Sequence, residues 1–325
     1  MELCAGAGGQ ALGLHMAGFK HSVLLEIDPQ CCETLSLNNI EHSLGWGAIL
    51  EQDLAVFAQG QAKFYKGKID LLAGGVPCPP FSKAGKQLGK EDERDLFPVM
   101  LDVVKKVRPK AVLIENVAGL LESKFDEYRK NIDEKLVTLG YKTTWKLLNA
   151  SDYGVPQLRP RVNIVALKPK YFEKFAWPEP FEASPPTVGD ALYDLMASRG
   201  WKGVDEWKMK ANKIAPTLVG GSRKHGGPDL GPGRAKKQWQ QLHVNGHKIG
   251  NEPPEANYTG VREGYENMPL LTVQMAARIQ AFPDWWIFSG KKTSSYRQIG
   301  NAFPPPVAKA VGLCIYQALA SVDEK

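Results

Sequence analysis

The chain has 325 residues, 43% of them hydrophobic and 23% charged, as expected of a folded globular protein with one large or two modest domains. It has no apolar run near the ~18 residues of a membrane span and no basic-then-apolar leader. Its five cysteines (4, 31, 32, 78 and 314) form no CxxC pair, so a membrane protein, a secreted precursor and a structural zinc are not expected, and a reducing cytoplasm is. The net charge of +6 is unevenly placed: residues 199–248 hold eleven Lys/Arg and three acids, which suits either a solvated surface or a footprint for a polyanion such as nucleic acid.

Residues 1–4 read as the end of a strand, followed by Ala-Gly-Ala-Gly-Gly (5–9) and a helix over 10–17. Strand, glycine turn and helix form the nucleotide-binding opening of a doubly wound fold, although GxGxxG is incomplete because Ala11 stands at its last position. A second strand, 21–25, runs into Glu26-Ile27-Asp28, and an acid at that strand end suits a cofactor ribose. The segment 51–54 reads as the end of a third strand, with Asp53 able to meet an adenine amine.

Residues 70–73 form a buried strand that stops at Gly74-Gly75. Cys78 follows, held between Pro77, Pro79 and Pro80 on a stiffened loop at a strand's carboxyl end. A lone cysteine there is ordinarily a buried structural residue; its neighbours make it a candidate nucleophile. The polar stretch 83–94 suits a lid or a plain surface loop. A helix over 94–107 leads to the strand 111–117, which ends in Glu115, a carboxylate that is costly on an apolar strand unless partnered.

A helix over 123–139 and a strand over 143–148 precede Gln157-Leu-Arg-Pro-Arg161 and a strand over 162–167. Arg159 and Arg161 are two apart and share a face. From about 170 to 269 the alternation fails; residues 220–233 alone hold six glycines and two prolines. A helix over 271–282, then Tyr296-Arg-Gln-Ile-Gly-Asn301, then a last helix to about 320 complete the chain.

Together these segments resemble the DNA (cytosine-5) methyltransferases of prokaryotic restriction-modification type. The resemblance rests on Glu2-Leu-Cys-Ala-Gly-Ala-Gly-Gly9, Glu26-Ile-Asp28, Gly74-Gly-Val-Pro-Cys78, Glu115-Asn-Val117, Gln157-Leu-Arg-Pro-Arg161 and Tyr296-Arg-Gln-Ile-Gly-Asn301, in that order. It implies an α/β, doubly wound, Rossmann-like methyltransferase sheet with a second, smaller, loop-rich target-recognition domain. The expected boundaries are 1–172 for catalysis and cofactor, 173–280 for target recognition, and 281–325 returning to the catalytic domain.

The resemblance implies Cys78 as the nucleophile that adds to cytosine C6, and Glu115 at N3 and the exocyclic amine with a raised pKa. Arg161, supported by Arg159, would meet O2 or hold the loop. The implied cofactor is S-adenosyl-L-methionine, leaving S-adenosyl-L-homocysteine, held by Cys4, Gly6, Gly9, Glu26, Ile27, Asp53, Leu54, Pro77, Leu96, Asn301 and Ala302. No metal is implied. The target base would be flipped from duplex DNA. Ser82, Lys86, Gln87, Thr217, Arg223, Lys224, Arg234, Lys236 and Lys237 are the expected DNA contacts.

A cytoplasmic monomer is expected, with a possible cognate endonuclease as partner and no membrane. Two departures stand out: Cys78-Pro-Pro replaces the Cys-Gln of many members, and the chain begins inside the first strand. Alternatives are an RNA (tRNA) cytosine-5 methyltransferase, whose Cys-Phe-Thr tripeptide is absent, a catalytically silent DNA-binding module, and a nicotinamide-linked oxidoreductase.

Overall fold

The computed structural model describes residues 1–77, 95–220 and 229–323. Two compact units emerge: Met1–Leu148, Pro160–Glu179 and Val307–Lys325 make the first, and Asn149–Arg159 and Pro180–Pro306 make the second.

The first unit is built on β1 (Glu2–Leu3), α1 (Gly9–Met16), β2 (Val23–Glu26), α2 (Pro29–Glu41), β3 (Ala48–Glu51), α3 (Leu54–Gly60), β4 (Leu71–Gly74), α4 (Phe97–Val107), β5 (Ala111–Val117), α5 (Asp126–Thr138), β6 (Lys142–Asn149), β7 (Pro160–Leu167) and α6 (Pro169–Phe172). The second carries α7 (Val188–Ala197), α8 (Val204–Lys210), α9 (Gly233–Gln240), α10 (Val273–Ile279) and α11 (Lys292–Asn301). The last helix, α12 (Pro305–Asp323), returns to the first unit, where Leu14 and Ala17 of the α1 segment press on Gly312.

Among the described residues the sheet has seven strands, in the order β3-β2-β1-β4-β5-β7-β6. Its direction of growth reverses between β1 and β4, which are parallel neighbours, and that reversal opens a crevice at their carboxyl ends. The Rossmann-like α/β fold expected from the sequence is therefore present. Strand β7 departs from parallel order: it runs antiparallel to β5, pairing Val117 with Arg161 and Glu115 with Asn163.

Residues 71–74, 111–114 and 164–167 are buried without alternation, as strands covered on both faces must be. Leu72, Val112, Ile114 and Ile164 meet Phe97, Met100, Val104 and Val107, the apolar stripe of α4 at helical spacing. Each such side chain, fully buried, contributes about 1.5–3 kcal/mol. The start of α4 is fixed by Asp95, whose Oδ1 accepts from the Phe97 amide at 3.1 Å and from the Tyr128 hydroxyl at 2.8 Å.

The second unit is less regular, as its Gly/Pro content predicts, yet among the described residues of 173–280 four helices are present. Trp207 and Trp239 anchor it, both fully buried. Arg278 of α10 donates through Nε to Asp284 at 3.0 Å and pairs with Asp194 of α7, tying the two helices together. Among the described residues, no helix is long and apolar enough to cross a membrane.

Candidate active site

At the crevice, β1 ends in a turn with positive φ at alternate residues: Cys4 at 53°, Gly6 at 53° and Gly8 at 84°. Glycine suits the last two, whereas Cys4 is held there against its Cβ. A side chain at Gly6 would meet nothing within 4 Å, so the turn faces open space. Gly8 caps α1 and Gly9 begins it.

Glu26, 9% exposed at the end of β2, organises this turn. Its Oε2 accepts from the Gly6 amide at 2.7 Å, and its Oε1 accepts from the amides of Ile27 at 2.8 Å and Asp28 at 2.9 Å. Three donors fix the carboxylate and still leave lone-pair capacity for a ligand hydroxyl. Ile27 is 62% exposed, an apolar platform beside that acid.

Asp53 caps α3, its Oδ1 accepting from Ala55 at 2.8 Å and Val56 at 3.2 Å. Its Oδ2 makes no hydrogen bond among the described residues. The Cys4 thiol is pushed far up by burial and then by the charges of Glu26 and Asp53. This corner is therefore electronegative, which favours a cationic ligand group and disfavours thiolate chemistry at Cys4. Leu54, the first residue of α3, is buried in the hydrophobic core.

One strand across, Asn116 donates from Nδ2 to the Val76 carbonyl at 3.1 Å, and the Leu96 amide donates to the Pro77 carbonyl at 3.4 Å. The chain entering residue 78 is thus tied to β5, and its exit near Leu96 is tied back to its entry. A Cβ at Gly75 would lie 3.1 Å from Glu115 Oε2, so the backbone at Gly75 passes directly over the acid. Glu115 in turn accepts from Arg161 Nε at 2.8 Å, with only 12% and 14% of the two side chains exposed. Burial lowers the pKa of Arg161, and the Glu115 carboxylate opposes that shift. The pair forms because antiparallel β5 and β7 bring residues 115 and 161 to one face, diagonally opposed. Cys78, Ser82, Lys86 and Gln87 lie outside the described residues.

In the second unit, Arg159 is buried and donates through its two terminal nitrogens to the carbonyls of Leu218 and Gly300, each at 2.9 Å. Asn301 ends α11 and Ala302 caps it. The Thr217 hydroxyl donates to the Leu158 carbonyl. On α9, Arg234 and Lys237 are exposed, while Lys236 pairs with Asp229 at 2.7 Å. Arg223 and Lys224 lie outside the described residues.

Several residues with no role assigned from the sequence hold these pieces: Asn116 on the loop entry, Gly75 against Glu115, and the buried amides Gln157 and Gln280. Asn116 and Gln157 sit inside the motifs, so their positions were visible, but not their partners. Glu2 and His21 were also missed. They meet at 3.7 Å beneath the glycine turn, fully buried. Burial raises the Glu2 carboxyl to about 8 and lowers His21 to about 3, so both are neutral near pH 7 and the contact is not a salt bridge.

A family model described as "C-5 cytosine-specific DNA methylase" matches residues 1–317. The Type II methyltransferase M.NgoMIV of Neisseria gonorrhoeae is 52% identical over 328 residues, covering 98% of this chain and 97% of that protein. The Type II methyltransferase M.NaeI of Lentzea aerocolonigenes is 50% identical over 320 residues, covering 98% of this chain and 75% of that protein. The crystal structure of the S. pombe Dnmt2 methyltransferase is similar with a TM-score of 0.63 at 21% identity, over 99% of this chain and 98% of that one, a likeness of fold alone.

Proposed function

The chain belongs to the C-5 cytosine-specific DNA methylases, and from that premise we propose that it methylates C5 of a flipped-out cytosine in a specific duplex sequence through a covalent Cys78–C6 adduct. The observation that carries this reading is the buried Glu115–Arg161 pair under Gly75, one residue past β4 and three before Cys78. The Type II names of its relatives favour the modification half of a restriction-modification system, with an endonuclease acting at the same site. Residues 1–172 and 281–325 would carry catalysis, and 173–280 would read the target.

The chemistry follows from the residue types. Cytosine C5 is a weak nucleophile until a thiolate adds at C6. The Cys78 sulfur forms the S–C6 bond, and the C5–C6 π electrons move onto C5 and toward N3 and O2. Glu115 supplies the proton or hydrogen bond at N3, and the Arg161 guanidinium takes the charge growing at O2. Once C5 is methylated, a base removes the C5 proton. The electron pair re-forms the double bond and expels the Cys78 thiolate.

S-adenosylmethionine supplies the electrophilic methyl group when bound. The residues present fit it: Glu26 for the ribose hydroxyls, Ile27 against the adenine, Asp53 Oδ2 for the adenine amine, and open space at Gly6 for close backbone approach. The electronegative surroundings of Cys4 suit a sulfonium. Cys4, Gly9, Pro77 and Leu96 would line the same crevice, and Leu54 would support it from the core.

The test is incubation with tritiated S-adenosylmethionine and either genomic DNA or bulk tRNA, followed by bisulfite sequencing of the labelled nucleic acid. DNA label, abolished in Cys78→Ser while DNA binding persists, is the expected result. Full activity of Cys78→Ser refutes the covalent step, and label on tRNA alone refutes the substrate.

A further inference from the structure

Two buried glutamines carry a relay that the methyl-transfer chemistry does not use. Gln157 Oε1 accepts from the Leu218 amide at 2.7 Å. Its Nε2 donates to Gln280 Oε1 at 2.5 Å and to the Ile279 carbonyl at 3.3 Å. Gln280 Nε2 then donates to the Ala302 carbonyl. Both glutamines are 0% exposed, so no water can substitute for these partners. The amide orientations are mutually enforced, because turning either one would set donor against donor or oxygen against oxygen.

The same segment is gripped from other directions. Ala215 pairs with Gln157 through a parallel bridge, and the Leu158 amide donates to the Ala215 carbonyl at 2.7 Å. A Cβ on Gly220 would meet the Arg297 carbonyl at 2.7 Å and Asn301 Oδ1, and one on Gly300 would strike Gly220 itself. Residues 215–220 therefore lie backbone to backbone on α11. What they leave outside is Thr217 and the half-exposed Leu158 and Val219.

We propose that Gln157 and Gln280 are positioning residues for target discrimination: their relay fixes residues 215–220 and the end of α11 as one body, setting which side chains meet the DNA. The proposal rests on reading residues 173–280 as the target-recognition region. Apolar side chains of similar volume would fill the same space without burying polar groups. A fully satisfied polar relay excludes shifted packings of the segment instead, and only one packing presents Thr217, Leu158 and Val219 in register. The action runs through Leu218 and Ala302, since neither glutamine is exposed to reach a substrate.

The experiment uses the full chain and duplexes carrying the site found by bisulfite sequencing, or that site with one base changed. Gln157→Met and Gln280→Met are expected to lose at least ten-fold in discrimination between the two duplexes, through a raised KM for the intended site with kcat changed less. The Kd for S-adenosylhomocysteine without DNA should stay within two-fold in Gln157→Met. Discrimination within two-fold of the parent in whichever variant folds, even with a lowered melting temperature, overturns the proposal. Hydrogen exchange of the parent needs no variant: the Leu218 amide should exchange as slowly as the amides of α11, and fast exchange there overturns the proposal too. A parent that labels no DNA defeats the functional reading instead, so the two failures are distinct.

Discussion

Replacing Glu26 by glutamine tests the cofactor cradle most directly. The carboxylate accepts from three amides, with the shortest bond, 2.7 Å, from Gly6. Glutamine can offer one oxygen. Directed at Ile27 and Asp28, that oxygen keeps two bonds and turns Nε2 against the Gly6 amide, donor against donor. The opposite orientation loses both of the others, so the first is adopted.

The Gly6 amide then lacks its acceptor, at a cost of about 1–3 kcal/mol, and the melting temperature should fall by a few degrees. A ligand hydroxyl also loses a charged acceptor, a loss of about 1.5–3 kcal/mol, which is roughly 10- to 150-fold in Kd. Calorimetric titration with S-adenosylhomocysteine reads the second effect and thermal melting the first. A lowered melting temperature with Kd within two-fold would refute the reasoning, because Glu26 would then only hold the turn.

Arg161→Ala strips Glu115 of its guanidinium; kcat should fall at least a hundred-fold and stability by about 3 kcal/mol in urea titration, as for the loss of one partner of a buried pair. Arg234→Ala with Lys237→Ala should lower the slope of log Kd for DNA against log salt by about 2, since each phosphate contact contributes about 0.9. Lys236→Ala should change it less, because that ammonium is already paired with Asp229. His21 is neutral when folded down to about pH 3 but protonates near 6.5 when unfolded, so its contribution to stability is lost as pH falls from 6.5 toward 3; His21→Gln should flatten that limb of a pH–stability curve. Glu2 acts in the opposite sense. Protonated in the fold up to about 8 and ionised above 4.5 when unfolded, it makes stability fall as pH rises between those values, and Glu2→Gln should remove that decline.

Much of the fold is dictated locally. Glycines at 6 and 8, an acid at 26, the apolar runs 71–74 and 111–114 and the stripe of α4 each announce their element, because turn conformation and burial periodicity are properties of a few adjacent residues. Motif order along the chain carried the family. Tertiary structure decided what lies far apart in sequence. The antiparallel placement of β7 makes Arg161 a diagonal neighbour of Glu115 across 46 positions, and no local pattern encodes strand direction. Asp53 reads from the sequence as a ligand acid, but folding also makes it the cap of α3. Leu54, next to Asp53 in sequence, is buried in the core at the start of α3. Arg159 shares a sequence face with Arg161, yet its guanidinium serves the carbonyls of Leu218 and Gly300. Gln157 stands in a sequence motif, but its partner does not: it meets Gln280 across 123 residues. A buried amide must find partners, and which partners it finds is fixed only when the chain is packed.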